Sequence, residues 1–270
     1  MARVLLYLDE NLASSIALRY IDYLSTMIQL TPFIIHVVVP DENEQAGTGW
    51  VRRTWESGMI ESGKATISRL LKTEKVKCAF GGVPKIKVGN KDDEILEELR
   101  ITSYDFFAEG HLPTSRSQDF HELLDSDLYT KAPCSIMCIK NLSVSKTVGV
   151  LLGNGVNPET AVSELNKIWD NSVMDIDLIY YTFNDSDNLE FLERSRASSL
   201  LNETEELLKE AGLPCSNVHV ITGTPEAAGD FLINYAFIAS SFPPRKSLVA
   251  EVLACTPNSV FLCRSKKSKK

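Results

Sequence analysis

The chain has 270 residues and a formal charge of −8. That length suits two domains of about 130 residues each, and the acidic balance argues against general nucleic-acid binding, which needs clustered Lys and Arg to neutralise phosphates. No apolar run of about 18 residues predicts a membrane span, and the N-terminus lacks the basic, apolar and small-residue order of a signal peptide, so a cytoplasmic protein is expected. Cys78, Cys134, Cys138, Cys215, Cys255 and Cys263 form no Cys-x-x-Cys pair and are expected to stay reduced, without a metal or redox role.

Val4 to Leu8 is a nearly continuous apolar run, the pattern of a strand covered on both faces. The spacing of Ile16, Ala17, Tyr20, Ile21, Leu24, Met27 and Ile28 predicts an amphipathic helix after it. A second buried strand runs from Phe33 to Val39 and stops at Pro40. Asp41 to Trp55, with Gly47, Gly49 and two tryptophans, reads as a long loop and a candidate partner surface. A helix follows around Ile60 to Leu71. The third strand, Lys85 to Val88, ends at Gly89, and Asp92, Asp93 and Glu94 suit the first turn of the next helix, where the dipole favours negative charge. The fourth strand is Asp105 to Ala108, ending at Glu109 and Gly110. A polar loop, His111 to Asp119, leads to a helix from about Phe120 to Thr130, and Pro133 introduces a fifth strand, Ser135 to Ile139.

After a linker, Asn141 to Ser145, the same order returns. Pairing Val4 with Val148 sets an offset of 144 (148 − 4), at which Leu6 meets Val150, Ala17 meets Ala161 and Asp9 meets Gly153. Further strands are expected at Asp177 to Phe183, Val218 to Ile221, Phe237 to Ala239 and Ser259 to Cys263. Thr224 before Pro225 is a strong helix start. A repeat this long is a duplicated domain and not a solenoid. Alternating strands and helices imply parallel sheets with right-handed crossovers. Ligands of such sheets collect beyond the carboxyl ends of the strands, where the strand order reverses. If the fourth strand lies beside the first, that point is flanked by the Asp9 turn and the Gly110 loop. In the second copy it is flanked by Gly153, Asn154 and Gly155 with Ser240 and Ser241.

These residues resemble the universal stress protein family in its tandem form. The likeness rests on the strand ending in Asp9 before a helix with Ala17, on His36-Val37 at the end of the second strand and on Gly223-Thr224-Pro225. The closing segments Ala132 to Ile136 and Thr256 to Val260 match as well. The resemblance implies two tandem doubly wound α/β domains, at 1–142 and 146–264, with a basic tail at 265–270. Each would hold a five-stranded, mainly parallel sheet in the order 3-2-1-4-5 with helices on both faces. It also implies pairing of the two domains through their fifth strands, which would cover both edges, and leaves room for a homodimer and for unknown protein partners.

Nucleotide-binding members carry a Gly-x2-Gly-x9-Gly-Ser/Thr loop after strand four, where backbone amides approach phosphates. An aspartate after strand one and strand-two backbone complete the site. Carried over, these features make Asp9, Val37 and Gly110 the candidate ATP or ADP contacts of the first copy, and Gly153, Asn154, Ser240 and Ser247 those of the second. The pattern is broken in both copies. Pro113 stands at the second glycine and Glu122-Leu123 at the Gly-Ser pair, while the second copy has Phe242-Pro243-Pro244 and places Lys246-Ser247 at that pair. Arg245, Lys246 and Ser247 at a helix start could still hold an anion. No nucleophile turn, P-loop or ATP-activating Ser-Gly-Gly loop occurs, and His111, His121, Glu109, Asp119 and Glu122 have no diagnostic metal spacing. The expected protein is therefore a non-enzymatic stress-response or regulatory protein with degenerate nucleotide sites, with an ATP or ADP sensor using one copy as the alternative.

Overall fold

A computed structural model of the chain describes residues 1–40, 50–112, 117–197 and 199–265. Within it the first half runs β1 (Ala2–Tyr7), α1 (Leu12–Leu24), β2 (Leu30–Val38), α2 (Trp50–Glu74), β3 (Lys85–Val88), α3 (Lys91–Ile101), β4 (Phe106–Gly110), α4 (Ser117–Asp125), α5 (Asp127–Lys131) and β5 (Ser135–Ile139). The second half runs β6 (Thr147–Leu152), α6 (Pro158–Ile168), β7 (Asp175–Phe183), β8 (Glu190–Phe191), α7 (Ser199–Glu210), β9 (Asn217–Gly223), α8 (Pro225–Phe231), β10 (Ile238–Ser241), α9 (Leu248–Cys255) and β11 (Val260–Cys263).

The strands form one eleven-stranded sheet in the order β3-β2-β1-β4-β5-β11-β10-β6-β7-β9-β8. The first half therefore has the expected 3-2-1-4-5 order, and the second repeats it in mirror sequence along the same sheet. All neighbours are parallel except β5 with β11 and β8 with β9. At the junction Val260 opposes Cys138, Phe261 opposes Met137 and Leu262 opposes Ile136. Every residue of β5 and β11 is buried, so apolar strands that would otherwise be bare edges cover one another.

Side chains reinforce that junction. Phe261 of β11 packs edge-to-face on both Phe106 and Phe237. The Tyr20 hydroxyl of α1 donates to the Ala236 carbonyl at 2.9 Å, and Ser135 donates to Glu164 of α6 at 2.9 Å. The ammonium of Lys140, just beyond β5, donates to the carbonyls of Leu253 at 2.8 Å and Thr256 at 3.0 Å and lies over the Phe120 ring. Those carbonyls end α9, where the helix dipole favours a cation. Only 3% of Lys140 is exposed, and burial pushes its ammonium down to about 8.

Helix starts follow the capping residues. Asn90 accepts from the amides of Asp92 and Asp93 ahead of the three acids of α3. Thr224 accepts from Ala227 with Pro225 in the first turn of α8, and Asn157 accepts from Thr160 in α6.

Three details differ from the sequence expectations. The second half gains a short antiparallel edge strand, β8. Trp50 and Trp55 lie on α2 and not in a loop; the remainder of the expected 41–55 surface, 41–49, falls outside the described residues. The start of that helix gives no periodic signal: Trp50, Arg52, Arg53 and Thr54 are exposed, Trp50 to 75%. The single helix expected over Phe120 to Thr130 is two, because Ser126 leaves helical geometry and caps α5 through the Tyr129 amide.

Candidate functional site

In the first copy the carboxyl ends of β1 and β2 meet α2 at a cleft of about 320 Å3, lined by Asp9, Glu10, Asn11, His36, Val37 to Val39, Ser62, Gly63 and Thr66. The structure thus brings Asp9 and Val37 together. Asp9 is already engaged by its own turn. Its carboxylate accepts from the Asn11 amide at 2.9 Å, the Asn11 side chain at 2.8 Å and the Ser14 hydroxyl at 2.7 Å. These bonds hold the β1–α1 turn in a conformation the aspartate itself stabilises. His36 is a hydrogen-bonded strand residue: the Leu8 carbonyl, 2.7 Å away, can only accept, so Nδ1 carries the proton. Gly63 lets α2 approach, since a Cβ there would stand 2.9 Å from His36 and 2.6 Å from Ile86.

Gly110 does not line this cleft. Its backbone presses on the start of α1, where a Cβ would come within 2.0 Å of the Ala13 carbonyl oxygen. The His111 amide turns away and donates to Ile139. The next residues of the loop, including Pro113, lie outside the described residues.

On the α3 and α5 side of β4 sits a buried charged cluster that the sequence did not announce. Glu109, 3% exposed, accepts from Lys91 at 2.7 Å, and the Lys91 ammonium lies over the Tyr7 ring. Burial works to lower Lys91, but Glu109, with Asp92 and Asp9, outweighs it and the ammonium is raised. The second Glu109 oxygen and the buried Tyr129 hydroxyl have no hydrogen-bond partner among the described residues. Burial, with Asp9 and Glu109 adding to it, pushes the Tyr7 phenol up, and burial pushes the Cys138 thiol up to about 12. His111 is pushed down by burial and by Lys140. A charged residue at the end of a strand reads as a loop signal, so only its α3 partner, Lys91, could have betrayed its burial.

The second copy places its candidates in structural roles. A Cβ on Gly153 would meet Val249 at 2.7 Å, so the position equivalent to Asp9 has no room for a side chain. Asn154 is exposed on the adjoining turn. Ser240 donates to Leu151, and Ser241 accepts from the Asn157 amide. Ser247 caps α9 through the Ala250 amide at 3.2 Å. Gly155, at φ +84°, lies under Pro244, whose ring a Cβ would meet at 2.6 Å. The glycine turn that could have wrapped a phosphate is packed by the shortened proline loop.

The histidines and carboxylates around the loop after β4 are likewise engaged elsewhere. His121 faces Glu251 of the other copy at 3.1 Å, and Glu109 faces Lys91. Among the described residues no group of three or more His, Cys, Asp or Glu could hold a metal ion, and no helix is long and apolar enough to cross a membrane.

A parallel sheet built from two 3-2-1-4-5 halves joined through their fifth strands defines a paired, doubly wound α/β protein with one switch point per half. The sequence matches no family model and no curated protein. Solved structures do share its architecture. A universal stress protein from Archaeoglobus fulgidus DSM 4304 aligns with a TM-score of 0.64 at 16% identity, over 98% of this chain and 97% of its own. A putative universal stress protein from Pseudomonas aeruginosa UCBPP-PA14 aligns at 0.57 and 11% identity, over 97% and 93%. The cytoplasmic domain of a prokaryotic cation chloride cotransporter aligns at 0.51 and 8% identity, over 97% and 94%. The chain has the fold of the universal stress proteins.

Proposed function

We propose that this chain is a tandem universal-stress-type protein, non-enzymatic and cytoplasmic, whose nucleotide sites have degenerated. It acts in stress response or regulation through protein partners or a weakly bound small ligand. Its two domains, 1–142 and 146–264, pair within the chain. The observation that carries this reading is that protein atoms crowd the described glycines at both switch points, leaving in the first copy only the cleft of about 320 Å3 beside Asp9 and Val37. Gly110 is pressed on Ala13, Val249 fills the place opposite Gly153, and Pro244 covers Gly155. Phosphate binding needs exposed amides that a backbone can wrap around the anion, and these contacts oppose it. Calorimetric titration with ATP, ADP and AMP, with and without magnesium, tests it: no saturable heat is expected up to millimolar nucleotide. Micromolar binding abolished by Asp9→Ala would sink it, and turnover of ATP by the purified protein would sink the non-enzymatic part.

The cleft of about 320 Å3 beside Asp9 and Val37 favours a second reading, an ATP or ADP sensor using the first copy. Its volume lies at the small end of the ~300–1,000 Å3 range of ligand sites. Adenosine competing as well as ATP in the same titration would support the sensor reading in its weakest form. Light scattering decides whether the chain pairs further into a homodimer.

A further inference from the structure

We propose that the cleft at the carboxyl ends of β1 and β2 binds a small primary ammonium carried on a short apolar body. This names the ligand class for the small-ligand part of the function proposed above, and rests on that reading. The floor of the cleft presents a buried acceptor. His36 is only 8% exposed, and it lines the cleft. Its Nδ1 proton is committed to the Leu8 carbonyl at 2.7 Å, so in the neutral imidazole Nε2 is an acceptor. Nε2 has no hydrogen-bond partner among the described residues. The ring turns this edge toward α2: a Cβ on Gly63, which also lines the cleft, would stand 2.9 Å from Cδ2, the carbon bonded to Nε2. A buried acceptor is stabilised only by a donor that reaches it, and here that donor enters through the cleft.

The charge of the lining is negative with the histidine counted as neutral. Asp9 and Glu10 line the cleft, and no Lys or Arg does. The Asp9 carboxylate accepts only from neutral groups: the Asn11 amide and side chain and the hydroxyls of Ser14 and Tyr7. Glu10 has Arg69 at 4.0 Å, so with that pair set aside the lining keeps the charge of Asp9. Lys91 is committed to Glu109. A cation relieves this charge, whereas a phosphate is repelled by it. An ammonium N–H also satisfies Nε2, which a quaternary cation cannot do. A metal ion would use the same imidazole and carboxylate, but among the described residues no group of three or more His, Cys, Asp or Glu could hold one.

These groups are fixed before any ligand arrives. Asp9 is held by its own turn and His36 by Leu8 of the neighbouring strand, so binding does not have to order them. Val37 to Val39 supply apolar surface for the body of the ligand, with Val39 exposed at the mouth, and Ser62 and Thr66 of α2 form the facing wall. A volume of about 320 Å3 limits that body to a few carbons.

Butylammonium is the probe, with butyltrimethylammonium as the same charge without an N–H and butanol as the neutral counterpart. Each is titrated into the full chain, and NMR follows the amides of Asn11 and Gly63 and the His36 Nε2 resonance. Butylammonium is expected to bind saturably with a Kd of about 1 mM or tighter and to move the Nε2 resonance. The other two should bind about tenfold more weakly. Asp9→Asn, which keeps an acceptor oxygen for the turn, should weaken butylammonium about tenfold and leave butanol within about twofold. Ser62→Trp, at an exposed position on the facing wall, should weaken all three by filling the cleft. The comparison of probes is made on the unaltered protein, so it holds whatever the variants do to folding. Absence of saturable butylammonium binding, equal affinity for the three probes, an Nε2 resonance unmoved at saturation, or butylammonium affinity unchanged in either variant would each overturn the proposal. No arm contains a nucleotide, so its failure is separate from that of the degenerate nucleotide sites.

Discussion

Gly110→Ala is the substitution that most sharply separates a closed switch point from an open one. The added methyl would lie 2.0 Å from the Ala13 carbonyl oxygen and 2.4 Å from its carbon, so the neighbour that must yield is backbone and not the tip of a flexible side chain. Overpacking a well-filled interior costs ~1–3 kcal/mol, and a backbone neighbour puts this site at about 3 kcal/mol. For a chain of this size that corresponds to a fall in Tm of roughly 6–12 °C. Gly58→Ala serves as the control, because a methyl added to that exposed helical glycine would meet nothing within 4 Å; it should gain about 0.5–1 kcal/mol. Thermal and urea unfolding followed by circular dichroism read both. A Gly110→Ala protein as stable as wild type would mean that β4 and α1 are not in backbone contact, and the claim that protein atoms close this crevice would fall.

Lys140→Met tests the buried strut between the halves. Burial lowers the ammonium to about 8, so between pH 8 and its ordinary pKa near 10.5 the folded state sheds a proton that the unfolded chain keeps. Wild-type stability relative to the Met variant should therefore rise with pH across that window, by ~1–3 kcal/mol once the two carbonyl acceptors are allowed for, and a flat difference would refute the assignment. Tyr20→Phe removes the hydroxyl bound to Ala236 across the junction and should cost about 1–2 kcal/mol in urea unfolding. Gly153→Asp, which restores the aspartate of the first copy, should cost more than ~1 kcal/mol and confer no ATP binding, because Val249 occupies the space; a stable, ATP-binding variant would contradict the packing described.

The apolar runs carried most of the fold. Val4 to Leu8 and Ser135 to Ile139 are buried on both faces, and such strands can be read without knowing their neighbours. The parallel order followed from the alternation of strands and helices, and the fifth-strand junction from the family resemblance. What lacked a burial signal could not be read: β8 is two exposed residues, and Trp50, Arg52, Arg53 and Thr54 at the start of α2 are exposed. The candidate site was legible as chemistry but not as space. Asp9 and Val37 do share a cleft, yet the sequence could not show that Asn11 and Ser14 engage the carboxylate. Nor could it show that Pro244 covers Gly155 or that Glu109 is buried against Lys91, because each is a contact between separate elements.

The central claim is that neither copy accommodates a nucleotide, and a crystal structure of the protein grown with millimolar ATP and magnesium tests it most directly. The account predicts no nucleotide density beside Asp9 and Val37 or beside Gly153 and Ser240, with Gly110 still seated on Ala13. An ordered adenine against Val37, with phosphates running to the Gly110 loop, would contradict it.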